Sequence, residues 1–347
     1  MDIDLTQLLW AFGTTVSICF LILATEPIHR FYSSDANAGP QKVHVHTVPR
    51  IGGVGLLCGL IIAGLTGQSV YQNLLTYSVV ALLPVFIFGL AEDLTKNVSP
   101  RLRLISSLVA GAAFIFIFDT HLTKTGFEVS DQLLAFPFLA ILLTVLAISS
   151  LINAMNIVDG LNGLSIGSSL AMMLSVAVVA FKVGDWEVVQ FALTVSICLI
   201  GVALFNFPIG RMFMGDSGAY LMGGIVAFSV ILISERNDDV SPFFGLLVIA
   251  YPFYELMRTM LRRIRATDVN VMAPDLEHLH SLIFTNLQSR GIVIARANVQ
   301  ASCRVLCLPL LCAIWSASFS DQTFILILGI CGMIALYEGL FRRYSAN

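Results

Sequence analysis

The chain has 347 residues, of which 57% are hydrophobic and 12% are charged, and its formal net charge is −3. Soluble domains carry roughly 25% charged residues, so this composition excludes an ordinary soluble protein. We predict an integral membrane protein that lies in the lipid bilayer, and we expect no nucleic acid among its partners.

Apolar segments recur along the chain at close to the ~20 residues that a helix needs to cross a bilayer. The predicted spans are residues 5–25, 51–66, 73–91, 102–118, 133–152, 163–181, 188–205, 217–233, 242–260, 303–319 and 323–341. The first lacks a basic n-region and a small-residue cleavage site, so we expect a retained span and not a signal peptide. We predict an all-α, polytopic integral membrane protein with about 11 transmembrane helices, ten being the alternative count, folded as one domain over residues 1–347.

The distribution of Lys and Arg predicts the orientation, because these residues prefer cytoplasmic loops. With the N-terminus outside, all 19 Lys and Arg residues except Lys124, Lys182 and Arg236 fall in cytoplasmic loops or at the cytoplasmic ends of spans. We therefore predict an N-out/C-in topology. Residues 261–302 then form a cytoplasmic loop between the ninth and tenth spans.

Five segments combine charged, amide or histidine side chains with glycine or proline. They are QKVHVHTVPRIGG (41–53), GLAEDLTKNVSPRLR (89–103), NAMNIVDGLNG (153–163), FNFPIGRMFMGDSGAY (205–220) and PDLEHLHSL (274–282). In the predicted topology all five fall on the cytoplasmic side, whereas the outer loops are short and show no comparable clustering. We infer one cytoplasmic-facing site built from several loops.

In the third segment, polar residues occupy every third position, namely Asn153, Asn156, Asp159 and Asn162. Each three-residue step on an α-helix drifts by about 60°, so Asn153 and Asn162 would point to opposite sides of a continuous helix. Gly160 and Gly163 indicate that the fifth span ends near Asp159 and that the chain turns there, which would return Asn162 to the same pocket.

The carboxylates of these segments indicate a metal that carries a polyphosphate. Glu92, Asp93, Asp159 and Asp216 have no equal set of basic partners at helical spacing. Carboxylate and amide oxygens suit Mg²⁺, which proteins usually hold with one or two carboxylates plus substrate phosphates. Donors able to bind phosphate accompany them, namely Lys42, Arg50, Lys96, Arg101, Arg103 and two of the histidines.

Each of these signals has a structural alternative. Glu92-Asp93 can be an exposed turn, with Lys96 pairing along a helix, and Ser99-Pro100 can simply start the next helix. The Gly-Asp-Ser-Gly sequence around Asp216 is also an ordinary turn. His278 and His280 are two residues apart and do not share a helix face, so in a helix only one would reach a common site. The Arg258–Arg265 cluster can fix topology beside anionic lipid.

Taken together, the segments resemble a known family. KVHVHTVPRIGG, EDLTKNVSPRLRL, NAMNIVDGLNGL, FMGDSGAYLMG and DLEHLHSL occur in the order and approximate spacing of the polyprenyl-phosphate N-acetylhexosamine-1-phosphate transferases. The resemblance implies transfer of a sugar 1-phosphate, most simply N-acetylglucosamine 1-phosphate, from a UDP-N-acetylhexosamine to polyprenyl (undecaprenyl) phosphate, with release of UMP. It also implies a bacterial cytoplasmic (inner) membrane enzyme that initiates cell-surface glycan synthesis, and a homodimer.

Matching the motifs residue by residue gives the site that the resemblance implies. Asp216 matches the family's magnesium-binding aspartate, and Asn156 matches an asparagine that shares the metal in some members. The implied cofactor is Mg²⁺, with Mn²⁺ as a substitute. Asp93 matches the second aspartate of a paired-aspartate motif, whereas Glu92 stands where the first is usually Asp. Asp159 matches the first aspartate of a DGLDG-type motif. These last three residues form the implied catalytic set.

The implied substrate-binding residues surround that set. Asn162 replaces the second aspartate of the DGLDG-type motif, and its amide suits recognition of the nucleotide. His278 and His280 match an HxH motif associated with substrate phosphate, although Leu276 stands where a basic residue is common. Further members of the set are Lys42 and His44, which match a cytoplasmic loop motif, and Arg50, Lys96 and Asn153. Our hypothesis is direct attack by the polyprenyl phosphate, with Asp93 deprotonating or positioning it; a covalent aspartyl-phosphate intermediate is the alternative.

Other functions account for fewer of these residues. A transporter would place its polar site near the midplane, reached from both sides, and an intramembrane aspartyl protease would leave the histidines and basic loops unexplained. A CDP-alcohol phosphotransferase needs an Ala-Arg after its Asp-Gly, which DGLNGL lacks. A transporter and a non-catalytic relative remain the alternatives to the transferase.

Overall fold

The computed structural model describes residues 3–34, 48–265 and 277–345. Within these ranges the chain forms helices joined by short turns. In chain order they are α1 (Leu5–Ala24), α2 (Glu26–Ser33), α3 (Gly52–Thr66), α4 (Ser69–Thr95), α5 (Pro100–Phe118), α6 (Glu128–Leu134), α7 (Pro137–Val158), α8 (Leu164–Val183), α9 (Trp186–Asn206), α10 (Gly215–Arg236), α11 (Pro242–Val248), α12 (Ala250–Arg265), α13 (Leu279–Ser289), α14 (Ile294–Ser318) and α15 (Thr323–Ser345). The predicted site residues Lys42 and His44 lie outside the described residues.

The predicted all-α, polytopic membrane architecture is confirmed. In the described part of the chain, nine helices are long and apolar enough to cross a membrane, and α11 with α12 form a tenth candidate that is bent by 70°. The predicted span 51–66 corresponds to α3, which has only 15 residues. The exact number of spans and the orientation stay predictions.

Two predicted segments differ in detail from the helices of the structure. The span predicted at 242–260 is not one straight helix, because the chain bends between α11 and α12. The predicted loop 261–302 is partly helical: it contains α13, and α14 begins at Ile294, before the predicted span start at 303. The amphipathic residues that extend these helices lower the local hydropathy, so a search for apolar runs misses them.

Local capping explains several helix starts. Ser99 accepts a hydrogen bond from the Leu102 amide at 3.3 Å, and Pro100 occupies the first turn of α5, so this pair starts the helix as its structural interpretation predicts. Asp4 caps α1 by accepting from the Gln7 amide. The caps satisfy amide groups that a helix end leaves without partners.

Helix α10 forms the centre of the bundle, and every residue from Gly215 to Ser234 is buried. It packs against α3, α4, α7 and α8. Small residues allow this close approach: a Cβ at Gly223 would lie 2.6 Å from the Cα of Ile152 on α7, and one at Gly89 on α4 would lie 2.7 Å from the Cα of Ser217. The start of α10 is therefore held between its neighbours at one end of the bundle.

Candidate active site

The segment before α3 pairs with the segment before α10, and this pairing brings Arg50 to Asp216. The Phe213 amide donates to the Pro49 carbonyl at 2.8 Å, and the Gly52 amide donates back to the Phe213 carbonyl at 2.9 Å. Arg50 lies between these contacts, and its Nη2 is 3.3 Å from Asp216 Oδ1. Two of the predicted polar segments therefore meet in the folded chain.

A second arginine reaches Asp216 from α5. Arg103 Nη1 lies 2.8 Å from Asp216 Oδ2, so the carboxylate stands between two guanidinium groups. The side chains of Arg50 and Arg103 are 30% and 22% exposed, whereas that of Asp216 is 10% exposed. The cations thus lie on the more accessible side of the group, where a phosphate can meet them.

Asp93 is bound to the start of α10. It is 1% exposed, and its carboxylate accepts from the Asp216 amide at 2.8 Å, the Ser217 amide at 3.0 Å and the Ser217 hydroxyl at 2.7 Å. A carboxylate at a helix N-terminus satisfies amides and interacts favourably with the helix dipole. These contacts favour a positioning role for Asp93, and the catalytic role inferred from its motif stays a prediction. We call Arg50, Asp93, Arg103 and Asp216 the site cluster.

Glu92 and Lys96 lie in the turn that ends α4. Glu92 Oε2 accepts from the Val98 amide at 2.8 Å, and Lys96 adopts a left-handed backbone with φ 56°. The Lys96 ammonium donates to the Ser34 carbonyl at 3.3 Å. The adjacent acidic residues therefore point to different partners, because Asp93 turns inward to α10 and Glu92 closes the turn.

Asp159 lies level with Asp216 on the neighbouring helix. Gly223 of α10 packs on Ile152 of α7. Asp216 and Asp159 each lie seven residues from this contact, about 10 Å along their helices and in the direction of the site. The packing of the two helices therefore places Asp216 beside Asp159. Asp159 caps the end of α7, as the glycine pattern predicts, and accepts a hydrogen bond from the Ser165 hydroxyl. Burial raises the pKa of Asp159 to about 6; the Ser165 hydrogen bond and the charge of Arg50 oppose this rise, and the charge of Asp216 adds to it.

The three asparagines of the same segment have different surroundings. Asn153 donates to Ser107 Oγ on α5 at 3.1 Å and to the Ser149 carbonyl at 2.8 Å, contacts that brace α7. Asn156 is half-buried one turn before Asp159. Asn162 is buried, and its amide donates to the Pro208 carbonyl at 3.3 Å. The turn thus does bring Asn162 back toward the bundle, where its side chain contacts Pro208 and its backbone amide donates to Asn298 Oδ1 at 3.0 Å.

The two predicted histidines lie side by side. His278 precedes the first turn of α13 and His280 is inside it, so the helix-face rule does not separate them. Their rings are stacked with centroids 5.5 Å apart and an interplanar angle of 5°. The His280 ring packs against Gly160, where an added Cβ would collide with Nε2. Both rings therefore lie near the end of α7 that carries Asp159.

Comparisons with known proteins identify a similar family. A family model described as glycosyl transferase family 4 matches residues 75–234, a range that includes Asp93, Asp159 and Asp216. The chain is similar to this family over the matched range, which is slightly less than half of its 347 residues. The resemblance drawn from the motifs is therefore confirmed, and the histidines of α13 lie beyond the matched range.

Several curated proteins are similar to the chain over most of its length. A probable undecaprenyl-phosphate N-acetylglucosaminyl 1-phosphate transferase of Bacillus subtilis (strain 168) is 28% identical over 69% of this chain and 66% of the relative. Undecaprenyl-phosphate alpha-N-acetylglucosaminyl 1-phosphate transferases of Yersinia pestis and Salmonella typhi are 25% and 26% identical. The aligned regions cover 87% and 75% of this chain and 83% and 73% of the two relatives.

The two predicted metal ligands, Asp216 at the start of α10 and Asn156 on α7, are of the kind that a magnesium ion binds. Asp216 supplies a carboxylate and Asn156 an amide, both of them hard oxygen donors. Among the described residues there is no group of three or more His, Cys, Asp or Glu side chains arranged to hold a metal. A family member with such a set would need substrate phosphates to complete the coordination of Mg²⁺, as is usual for this ion.

Sequence reasoning missed several residues that build the site. Ser165 binds Asp159, and Asn206 ties two loops together by accepting from the Gly163 amide at 2.6 Å and donating to the Met212 carbonyl at 2.8 Å. Glu255 was also overlooked, although a carboxylate within an apolar span is itself a functional signal. Asn206 and Ser165 are common polar residues, and nothing in their spacing distinguishes them.

Proposed function

We propose that this protein transfers N-acetylglucosamine 1-phosphate from UDP-N-acetylglucosamine to undecaprenyl phosphate, releasing UMP and initiating cell-surface glycan synthesis. The names of the relatives supply the acceptor and the sugar. The observation that carries the proposal is Asp216, held between Arg50 and Arg103 at the start of α10.

The arginines fit the donor because phosphoryl transfer depends mainly on positioning and on neutralising charge. A guanidinium group binds phosphate oxygens through parallel hydrogen bonds. Since Arg50 and Arg103 are more exposed than Asp216, an incoming diphosphate can share both cations with the carboxylate. The pairing with Asp216 holds the two cations in place before substrate binds.

Asp216 and Asn156 would hold the magnesium ion, with Mn²⁺ as a substitute. When bound, such an ion neutralises charge on the transferred phosphoryl group. The protein's own part is to keep the Asp216 carboxylate fixed, and Asp93 does so by binding the amides of Asp216 and Ser217.

Asp159 is a better candidate than Asp93 to take the acceptor proton, because both carboxylate oxygens of Asp93 already accept hydrogen bonds from Asp216 and Ser217. The second pKa of a phosphate monoester is about 6, and the pKa of Asp159 is also raised to about 6 by burial, so a proton can pass between them with little change in free energy. A phosphate oxygen of the acceptor then attacks the phosphorus that carries the sugar. The bond from that phosphorus to the UMP oxygen breaks, and UMP leaves with the bonding electron pair.

The function is tested with purified protein, undecaprenyl phosphate, Mg²⁺ and a panel of UDP-sugars, with UMP release as the readout. We expect UMP release with UDP-N-acetylglucosamine that requires both the acceptor and the divalent ion. Absence of release with every sugar of the panel would contradict the transferase and favour a non-catalytic relative, and uptake of UDP-sugar into sealed vesicles without UMP release would favour a transporter. A radiolabelled phosphosugar or UMP adduct formed on the protein without acceptor would contradict direct attack.

The placement of the site in the cell is part of the proposal. We propose an N-out/C-in topology in the bacterial inner membrane, with the site cluster at the cytoplasmic face, and a homodimer. The acceptor partitions into the bilayer and the nucleotide sugar is cytosolic, so the reaction needs a site at their boundary. Labelling of cysteines introduced at Lys124 and at Arg101 with a membrane-impermeant reagent tests the topology: in intact cells only the first should react.

A further inference from the structure

A buried carboxylate lies behind the histidine pair, outside the site cluster. Glu255 of α12 is 1% exposed. Its Oε1 accepts from His278 Nδ1 at 3.0 Å, and its Oε2 accepts from the Tyr337 hydroxyl of α15 at 2.7 Å. Removing a carboxylate from water is costly unless its partners compensate, so these contacts need an explanation beyond packing.

The histidine that Glu255 binds differs from its neighbour. An ionised carboxylate only accepts hydrogen bonds, so the proton of this contact is on His278 Nδ1, and Nε2 is the remaining ring nitrogen. His280 Nδ1 is buried and has no hydrogen-bond partner among the described residues. Burial lowers the pKa of His280 to about 4, which keeps that ring neutral near pH 7. The two rings of the pair therefore differ in electrostatic environment.

The histidine pair lies next to the turn at the end of α7. Its ring is stacked on His280, and His280 packs against Gly160, the residue after Asp159. A carboxylate that binds one nitrogen of an imidazole fixes the ring orientation and directs the other nitrogen to a ligand. Tyr337, on a different helix, holds the carboxylate in turn. The array from α15 through α12 to α13 thus ends next to the turn that carries Asp159 and Gly160.

We propose that Glu255 is a positioning residue for the nucleotide-sugar donor: it fixes His278 so that Nε2 binds the diphosphate of the UDP-sugar. This inference rests on the proposed function. In this proposal the bend between α11 and α12 brings the Glu255 carboxylate to His278. The acceptor phosphate is bound by Asp159 and the site cluster.

Glu255→Gln tests the link, because the amide keeps the shape of the side chain and removes the charge. We expect the KM for UDP-N-acetylglucosamine to rise about tenfold, the loss expected for one charge-assisted hydrogen bond, and the KM for undecaprenyl phosphate to stay unchanged. Glu338→Gln is the matched control, since Glu338 joins the same two helices through Arg258 Nε at 2.7 Å. It should change neither constant.

A double-mutant cycle separates positioning from a purely structural role. If Glu255 acts through His278, the Glu255→Gln/His278→Asn protein should have the donor KM of His278→Asn alone. A further rise in the double variant, or a wild-type donor KM in Glu255→Gln, would overturn the inference. If Glu255→Gln does not fold, Tyr337→Phe replaces it, with an expected rise of about threefold; an unchanged donor KM there overturns the inference equally.

The outcomes also distinguish this inference from the proposed function. If the wild-type protein releases UMP and the Glu255→Gln variant has the same KM for UDP-N-acetylglucosamine, only the role of Glu255 is overturned. A wild-type protein that neither releases UMP nor gains thermal stability from UDP-N-acetylglucosamine overturns the proposed function, and this inference with it.

Discussion

Two polar clusters, each with a buried carboxylate, lie at opposite ends of α3 and α9. The far-end cluster consists of Asp4, Gln7, Gln68 and Gln190: Gln7 Nε2 donates to the Ala63 carbonyl at 2.9 Å, and Gln190 Nε2 donates to Gln7 Oε1 at 2.8 Å. Asp4 accepts from the amides of Gln7 and Gln68, each at 3.0 Å. The site cluster lies at the other end of α3, a helix of 15 residues and so about 22 Å long.

The chemistry of the two clusters differs. The far-end cluster contains one carboxylate and several amides, and their hydrogen bonds run between α1, α3 and α9. The site cluster is made of charged groups, and the buried Nε of Arg103 has no hydrogen-bond partner among the described residues. Polar groups that hold helices together in a membrane satisfy one another, whereas a site keeps charge and bonding capacity for its ligand.

The strongest test of this difference is Asp216→Asn. The amide keeps the size of the side chain but removes the negative charge between Arg50 and Arg103. We expect UMP release to fall by about 10²–10³-fold, since one preorganised electrostatic contact is typically worth that much in rate. We expect the melting temperature in detergent to stay close to that of the wild type. Retained activity in the presence of Mg²⁺ would remove Asp216 from the site.

The matched control is Asp4→Asn, the same substitution in the far-end cluster. Asp4 uses one carboxylate oxygen for Gln7 and the other for Gln68, and the amide can replace only one of these acceptors. We expect a lower melting temperature, corresponding to about 1–2 kcal/mol, and a wild-type kcat. A loss of kcat without a loss of stability would show that the two ends are not separate in function.

Asp93→Asn should give the second largest effect. Asp93 belongs to the site cluster, but like Asp4 of the far-end cluster it is a buried carboxylate that accepts hydrogen bonds from two backbone amides. Asp93 is buried and accepts three hydrogen bonds from Asp216 and Ser217. We expect stability to fall by about 1–3 kcal/mol and kcat to fall about tenfold to a hundredfold as the start of α10 shifts. Loss of kcat with an unchanged melting temperature would instead support the catalytic role that the motif implies.

The sequence predicted the membrane class, the family and the segments that meet at the site, because apolar runs and glycine-flanked polar motifs are local signals. It also predicted that α7 ends at Asp159. It did not predict the partners. Whether a carboxylate faces a substrate or a helix N-terminus depends on packing between distant segments, as in the contact of Asp93 with α10. The bend before α12 was missed because the segment 242–260 is apolar on average, although Pro252 in the first turn of α12 is a local signal of a helix start.

A smaller effect is expected from Gly160→Ala, which tests the contact between α7 and the histidine pair. The added Cβ would collide with the His280 ring, and the backbone at Gly160 does not have a positive φ, so the change tests space alone. Overpacking of this kind costs about 1–3 kcal/mol, and we expect kcat/KM for the donor to fall about tenfold. Gly13→Ala in α1 is the control, because nothing lies within 4 Å of its added Cβ; an equal loss there would contradict the assignment.

The smallest expected effect is on the pH dependence of stability. Burial lowers the pKa of His280 to about 4, with the charge of Glu255 opposing and that of His278 adding to the shift. The unfolded chain therefore binds a proton near the usual histidine pKa of about 6.5 that the folded chain does not bind, so the stability is fully present above pH 6.5 and falls as the pH drops toward 4. We expect the melting temperature in detergent to fall by a few degrees over this range. In His280→Asn part of that fall should disappear, because the amide does not titrate. If the variant keeps the full pH dependence of the wild type, the loss of stability in acid originates elsewhere, and burial of the neutral His280 ring does not set the pH dependence of stability.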